Sequence, residues 1–557
     1  MRTKNASLGG DPGATRMTRK DFLKIGGAGF AGAALLGTAG CGSVFGGQQG
    51  DGGNGNSIAM NLEQTIRDLN STTTTDTTSS EILLNVMAGL YRLDPNTKPV
   101  PDMAESVDIS EDGLDYTFAL RDGIKWSNGD PVTSQDFRYA WIRAIDPDTA
   151  GQYSYILTMF IKGAEEFNTG KGSAEDVAIE TPDDKTLKVT LVAPAPYWLG
   201  LTSFQTYLPQ NQKFVEKQGE QYAQNADALL YNGPYLLTEF NPTNGTVVVK
   251  NEDYWNADNV DIPKVEGRIV EEMDTAVNLY DSGELDETLL QSEYVDQYKG
   301  KPELKQIKQL STRYLVFNME LPIFQNKDVR RAIQMSLDRA AISYKIVNDG
   351  SGPATGLVAW GTAGPGDQTF REAEGPTMPE YDPAQAKELF QKGINAVGEN
   401  PEIELLAEND SVSRDVATFM QAELEKMGAK ISVKVQPFDR KLELESNGQF
   451  QLSDQGWLAD YDDPMTFLDL FQSSSSFNTQ KYKNARYDQL ISSAKEEADA
   501  SKRMDMLLEA ERILVQEDAG TAPYRFYGRS YLVKPEITNF VDQPYGGGKD
   551  YSYWKLS

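Results

Sequence analysis

Gly456-Trp457-Leu458-Ala459-Asp460-Tyr461-Asp462-Asp463-Pro464 sets three carboxylates within four positions. Oxygen ligands in such a group suit calcium, but the EF-hand spacing and its distal Glu are missing. Asp463 has a structural use: before Pro464 it fits an N-cap with Pro at the first turn of a helix over Met465–Phe471. Other chemistries are closed by composition. The chain has no histidine, which excludes a Ser-His-Asp triad, a Cys-His dyad and the common His-containing zinc sites. Its one cysteine, Cys41, allows neither an intrachain disulfide nor a Cys cluster for zinc or iron–sulfur. Catalysis would rest on carboxylates, Lys, Tyr or Ser–Lys. Paired carboxylates, as in a glycosidase, carry little information in a chain with 83 acids. No G-x-S-x-G or S-x-x-K sits in a convincing strand–turn–helix context. The residues therefore predict no enzyme, no catalytic residue, no cofactor and no metal.

The elements that must position these residues are those of a large α/β chain. At 557 residues it exceeds one compact core, and about 150 residues per domain predicts three to four domain-sized units. Lys+Arg 53 against Asp+Glu 83 gives a net charge of −30, a surface that repels phosphate backbones, so no nucleic-acid partner is expected. Alternation and β-branched residues predict strands at Tyr116–Leu120, Thr186–Val192, Thr246–Lys250 and Ile431–Val435. The longer period puts Val329, Ile333 and Leu337 on one helix face. It puts Val416, Met420, Leu424 and Met427 on another, with Gly428 as the stop. Thr133 followed by Asp136 predicts the N-terminus of a helix over Ser134–Ile145.

The first forty residues read as an export address. A basic run, Arg19-Lys20-Asp21-Phe22-Leu23-Lys24, precedes the apolar stretch Ile25–Ala39, which is too short and too Gly/Ala-rich to span a bilayer. The segment resembles a bacterial lipoprotein signal. Thr38-Ala39-Gly40-Cys41 stands as the lipobox, with Thr where Leu is usual, and Cys41 as the lipidation site. The basic run is similar to a twin-arginine signal with Lys for the second Arg, so twin-arginine and general export both stay open. Gly42–Ser57 holds seven glycines and reads as a flexible spacer. One lipid and a leash predict an exported body held at the outer face of the cytoplasmic membrane, or in the periplasm, without being embedded.

A further set of motifs runs along the body. It begins at Gly89-Leu90-Tyr91-Arg92-Leu93-Asp94 and continues through Pro101-Asp102-Met103-Ala104-Glu105-Ser106 and Tyr116-Thr117-Phe118-Ala119-Leu120-Arg121-Asp122-Gly123. Lys125-Trp126-Ser127-Asn128-Gly129-Asp130-Pro131-Val132-Thr133 follows, with Asp136-Phe137. Later come Asn232-Gly233-Pro234-Tyr235, Ser282-Gly283-Glu284-Leu285-Asp286, Phe317-Asn318, Val329-Arg330-Arg331-Ala332, Tyr381-Asp382-Pro383, the 456–464 run and Ala522-Pro523-Tyr524. Each is weak alone; in this order they resemble extracellular solute-binding protein family 5, the oligopeptide/dipeptide-binding proteins of ABC importers.

The resemblance implies a two-lobed, periplasmic-binding-protein-like (Venus-flytrap) α/β fold with an extra subdomain on the first lobe. Its expected parts are 1–40 (signal), 41–56 (tether), 57–88 with 206–312 and 522–557 (lobe I), 89–205 (inserted subdomain) and 313–521 (lobe II). Crossings are expected near Ser311–Tyr314 and Thr521–Phe526, and closure would be a ligand-driven population shift. The implied partners are a peptide ligand and ABC permease subunits, with the protein itself a monomer. The family uses the Asp of its G-W-x-x-D motif, here Asp460, to hold the peptide α-ammonium, with an ordinary surface acid as the alternative. Gly456 and Leu458 would offer backbone hydrogen bonds, with Trp457 beside the ligand or simply in the core. Tyr153 matches a ligand-contacting tyrosine of enteric-type relatives, and Tyr314 is a weaker candidate from the hinge strand. Trp126 and Asp136 are read as fold-building. Some enteric-type relatives place an Arg for the peptide carboxylate just before Gly-Trp. This chain has Asp454 there and lacks the histidine of others, so the resemblance names no carboxylate receptor. Binders of nickel complexes, haem or oligosaccharides on the same fold remain the alternative, and a secreted carboxylate-based hydrolase a distant one.

Overall fold

The computed structural model describes residues 57–557 except Glu63 and Ala150. The address, Cys41 and nearly all of the spacer lie outside the described residues. β1 (Ile58–Asn61) is followed by α1 (Thr77–Val86), whose first turn is held by Asp76 accepting from the Ser79 amide at 2.8 Å. A four-stranded antiparallel sheet then forms from β2 (Ala104–Ile109), β3 (Asp115–Leu120), β4 (Ile179–Asp183) and β5 (Thr186–Thr190), in the order β2-β3-β5-β4. Helices interrupt it, among them α2 (Ser134–Ile145) and the single turn α3 (Tyr155–Thr158). β5 stops at Thr190, two residues short of expectation, because Leu191 turns to pair with Ile161.

The signature residues 126–137 build this part of the fold. Asp136 accepts from the Thr133 amide at 2.8 Å, closing the first turn of α2, and from Trp126 Nε1 at 3.3 Å. Both side chains are buried.

The main sheet has eleven strands. Its long path uses β1 with β6 (Tyr235–Asn241), β7 (Gly245–Lys250), β8 (Lys264–Arg268), β9 (Glu287–Leu290), β10 (Leu304–Phe317), β11 (Glu402–Glu408), β12 (Lys430–Gln436), β13 (Leu452–Leu458) and β14 (Thr521–Val533). The order is β12-β11-β13-β10-β14-β9-β1-β8-β7-β6, with Gly352–Pro353 pairing beside β14. The two long strands β10 and β14 therefore join one group of strands to the other. Their antiparallel register slips between Lys308 and Thr312, which pair with Gly528 and Phe526. Such a bulge bends a strand and frees backbone groups from the ladder. Here the freed groups find new partners: Leu310 N–H donates to Pro544 O, and Leu310 O accepts from Ala459 N–H.

Helices pack on this sheet as their periodicity requires. α4 (Lys327–Ser336), capped by Asn326, buries Val329 and Ile333, while Leu337 lies buried just past its end. α5 (Ser411–Lys426), capped by Asp410, buries Val416, Met420 and Leu424; Met427 ends it and Gly428 turns at φ +98°. α6 (Met465–Leu468) continues as a 3-10 turn over Asp469–Phe471, so the expected helix is split in two. Asp463 accepts from the Met465 amide at 2.9 Å, close to the capping role expected of it. Its main partner lies forty residues away. Arg503, on α7 (Ala500–Glu511), donates to both oxygens at 2.7 and 2.8 Å, and both side chains are buried. Removing one member of a buried ion pair leaves a charge without compensation, typically at a cost of about 3–5 kcal/mol. Asp463→Ala should lower the unfolding free energy in denaturant by about that much, and Asp463→Ala/Arg503→Met should restore part of it.

Candidate ligand-binding cleft

β13 delivers the G-W-x-x-D residues to the middle of the sheet. Its last residues pair with β10, Gly456 opposite Arg313, Trp457 opposite Thr312 and Leu458 opposite Ser311. One hydroxyl then fixes the turn that follows. Thr466 Oγ1 accepts from Trp457 Nε1 at 3.1 Å and from the Asp460 amide at 3.3 Å. Asp460 is thus held at the strand end by its backbone, and its carboxylate stays available for other partners.

That carboxylate receives a side-chain hydrogen bond from Tyr155 Oη at 3.2 Å. Tyr155 belongs to α3, so the contact joins the 89–205 region to the 456–464 run. Burial pushes the Asp460 carboxyl up to about 7. The Tyr155 hydrogen bond works against that rise and the negative Asp469 adds to it, and among the described residues no cationic side chain offsets the burial. Burial also raises the neighbouring Asp462 and Asp469 to about 6 each. For Asp462 this is opposed by the Ala363 amide at 2.7 Å, and for Asp469 by Lys495. The three clustered acids of the motif separate: Asp460 faces Tyr155, Asp462 the Ala363 amide, and Asp463 Arg503.

Asp460 lines a cavity of about 770 Å³, counting its open mouth. Leu458 and Ala459 line it from the same turn, Thr75–Thr78 from the entry to α1, and Tyr153 and Phe204 from the 89–205 region. Gln309 stands at the register slip, Arg529 on β14, and the segment Gln543 and Tyr545–Gly548 closes the wall. Gly546 and Gly548 have φ of +81° and +78°, a left-handed region costly for other residues, and a Cβ on Gly547 would collide with Leu84.

The site residues expected from the sequence are divided by this geometry. Asp460, Leu458 and Tyr153 line the cavity; the Tyr153 ring packs edge-on to Phe204 at 5.0 Å, and burial followed by the nearby Asp460 charge raises its hydroxyl to about 12. Trp457 is half-buried beside Phe477, ring centres 5.1 Å apart. Gly456 is exposed, and its missing side chain makes room for Arg313, whose Cδ lies 2.7 Å from where a Cβ would stand. Tyr314 is placed elsewhere, buried against Phe471 with ring centres 5.7 Å apart and not among the cavity-lining residues. Its position on β10 alternates away from the cleft. Asp454 is buried and bound to Arg313 at 2.6 Å and to the Tyr524 hydroxyl at 2.8 Å. Thr75–Thr78, Phe204 and Arg529 are not evident as site residues in the sequence because nothing local distinguishes them. The run of three glycines at 546–548 is the local signal that could have pointed to this wall.

The raised Asp460 carboxyl has a consequence for stability. A carboxyl raised in the folded state binds its proton there more tightly than in the unfolded chain, so ionisation costs stability as pH climbs from about 4 through about 7. Asp460→Asn removes that cost. Without ligand, its stability relative to the parent should be near zero below pH 4 and reach about 1–3 kcal/mol above pH 7, since each pKa unit is worth about 1.4 kcal/mol and Asp460 keeps part of its surface in solvent. Thermal unfolding of both proteins across this range reads the difference directly.

Residues 98–479 match the model of bacterial extracellular solute-binding proteins, family 5. The chain is 35% identical to the dipeptide-binding protein DppE of Bacillus subtilis over 83% of this chain and 85% of that one. It is 32% identical to the oligopeptide-binding protein OppA of the same organism, over 84% and 86%. Among solved structures, the substrate-binding domain of an oligopeptide ABC transporter from Bacillus anthracis superposes with a TM-score of 0.77 at 36% identity. The match covers 90% of this chain and 98% of that one. OppA of Listeria monocytogenes, solved with bound peptide, gives 0.76 at 33% identity over 91% and 100%. The fold is that of the periplasmic-binding-protein-like proteins, and the chain belongs to the bacterial extracellular solute-binding proteins of family 5.

Proposed function

We propose that the protein is a lipid-anchored extracellular receptor that captures peptides by their α-ammonium on Asp460 and delivers them to an ABC permease. Its relatives are named for binding dipeptides and oligopeptides. The observation that carries the reading is the state of Asp460: an acid on a cavity wall, desolvated far enough to rise to about 7, with no cation among the described residues to offset it. A buried carboxylate is stabilised by an ionic partner, and a free peptide amine supplies one. At about 4 Å and an effective dielectric near 20 the pair attracts by about 4 kcal/mol before desolvation is subtracted. It therefore serves chiefly as an anchor that sets register.

The rest of the cavity suits a ligand recognised by its backbone. Leu458 ends a strand, and the Thr75–Thr77 segment leads into a helix, so both present main-chain groups along which an extended peptide can lie, as in strand addition. The body divides into lobe I (57–88, 206–312 and 522–557), the inserted subdomain (89–205) and lobe II (313–521). β10 and β14 cross between the lobes. Cys41 carries the lipid that keeps the body near the permease.

Calorimetric titration with a tripeptide and its N-acetyl derivative tests the reading. The free amine should bind more tightly by about 2–5 kcal/mol, since acetylation leaves Asp460 buried without its cation. Asp460→Asn should erase most of that difference. Equal affinity for the two peptides in the parent protein would remove the ammonium mechanism.

A further inference from the structure

We infer that the buried amides of Gln205 and Gln543 form a side-chain subsite in the cavity, one that takes a cationic side chain of the ligand, Lys or Arg, and turns away an acidic one. This rests on the peptide reading above and narrows it to a class of peptide. Gln205 is 2% exposed and Gln543 6%, and both line the cavity that holds Asp460. The Oε1 atom of each is buried and has no hydrogen-bond partner among the described residues. A buried acceptor without a donor costs free energy, and such groups are few in folded proteins. Two of them on the wall of one cavity mark a place where the donors arrive with the ligand.

The fold fixes both positions. Gln543 Nε2 donates to Leu93 O and to Asp94 O, each at 3.3 Å, so its nitrogen is committed and its oxygen is the end left over. Gln205 opens a 3-10 turn over Gln205–Tyr207. Tyr207 locks that turn: its hydroxyl donates to Ile156 O at 2.6 Å, and its carbonyl accepts from Trp141 Nε1 at 2.8 Å. Phe204, the residue before, packs edge-on to Tyr153.

The kind of group that fits follows from its donors and acceptors. A peptide main chain brings N–H and C=O in equal number, and a carboxylate brings acceptors alone. An ammonium has three donors and a guanidinium five, with no acceptor in either, so each can satisfy two carbonyl oxygens and add no acceptor of its own. Charge points the same way. Asp76, Glu81 and Asp460 stand on this wall against Arg529, which itself lies 3.7 Å from the fully buried Asp542. A cation enters a field that favours it, and an anion one that opposes it. Leu62, Phe204 and Leu458 supply apolar surface for the methylene stem that Lys and Arg carry.

Titration calorimetry with Ala-Ala-Ala in which each position in turn becomes Lys, norleucine or Glu tests the subsite; norleucine has the stem of Lys without its ammonium. In the parent protein, Lys at one position should bind more tightly than norleucine there by about tenfold to a hundredfold, the worth of one or two hydrogen bonds to a charged donor. Glu at that position should bind more weakly than norleucine. Gln205→Met and Gln543→Met should each shrink the preference for Lys. Gln205→Met should also unfold at the same or a higher temperature than the parent, because it removes a buried acceptor that had no partner. A preference of equal size at all three positions, or one that both variants leave untouched, would assign it to the general negative field and overturn the subsite. Equal affinity for Lys and norleucine everywhere would overturn it too, and loss of binding on N-methylation of the central Ala would then show the main chain as the donor. In each of these cases a penalty for N-acetylation leaves the ammonium reading standing. If no tripeptide binds the parent, the peptide reading fails and this inference with it.

Discussion

A largely desolvated carboxylate, with no cation among the described residues to offset its burial, is the constraint on which the cleft depends. Asp460 cannot ionise cheaply where the fold puts it, and the side chain that meets it is the phenol of Tyr155. A hydroxyl shares a proton but brings no charge, so it compensates burial only in part. On the proposed reading, the positive group that would complete this part of the wall is the ligand's ammonium. The backbone around it is anything but loose: Thr466 holds both neighbours of the turn, and Leu310 fixes Ala459.

The same turn is gripped from the 89–205 region by aromatic contacts. Tyr197 stacks on Tyr461 with ring centres 4.2 Å apart and planes within 6°, and Phe160 meets Tyr461 edge-on. Arg503 sits over the Tyr197 ring while it binds Asp463. The structure is thus closed over Asp460, with ring pairs and the Arg503 guanidinium over Tyr197 carrying the contact. Offset and edge-on ring pairs contribute about 0.5–1.5 kcal/mol each, a modest amount that a ligand can reinforce and that thermal motion can overcome.

Much of the fold is legible in the order of residue types alone. Alternation locates β3, β7 and β12, and the helical period locates α4 and α5, because each of these elements buries one face and the burial pattern is written in residue type. The signature around Trp126 and Asp136 is legible for the same reason, as a local capping arrangement. Boundaries depart from expectation where a tertiary contact intervenes, as at Leu191, or where a buried partner sits far away in sequence, as Arg503 does from Asp463. The site is half legible. Asp460, Leu458 and Tyr153 follow from a family pattern, whereas Arg529, Phe204 and the Thr75–Thr77 segment reach the cavity only through the pairing of distant strands. Tyr314 departs from its expected place because strand alternation, which no motif records, turns it toward Phe471.

The wall formed by Gly546, Gly547 and Gly548 has a consequence for how this receptor can change. A surface made of bare peptide units offers the same dipoles to whatever lies against it, so that side of the cavity does not discriminate by side chain. Two of the three positions need a backbone that other residues resist, and at the third a methyl group would displace the end of the Leu84 side chain. The shape of the cavity changes more readily on the other walls, at Phe204, Leu458 or the threonines, where a substitution leaves the chain's path intact.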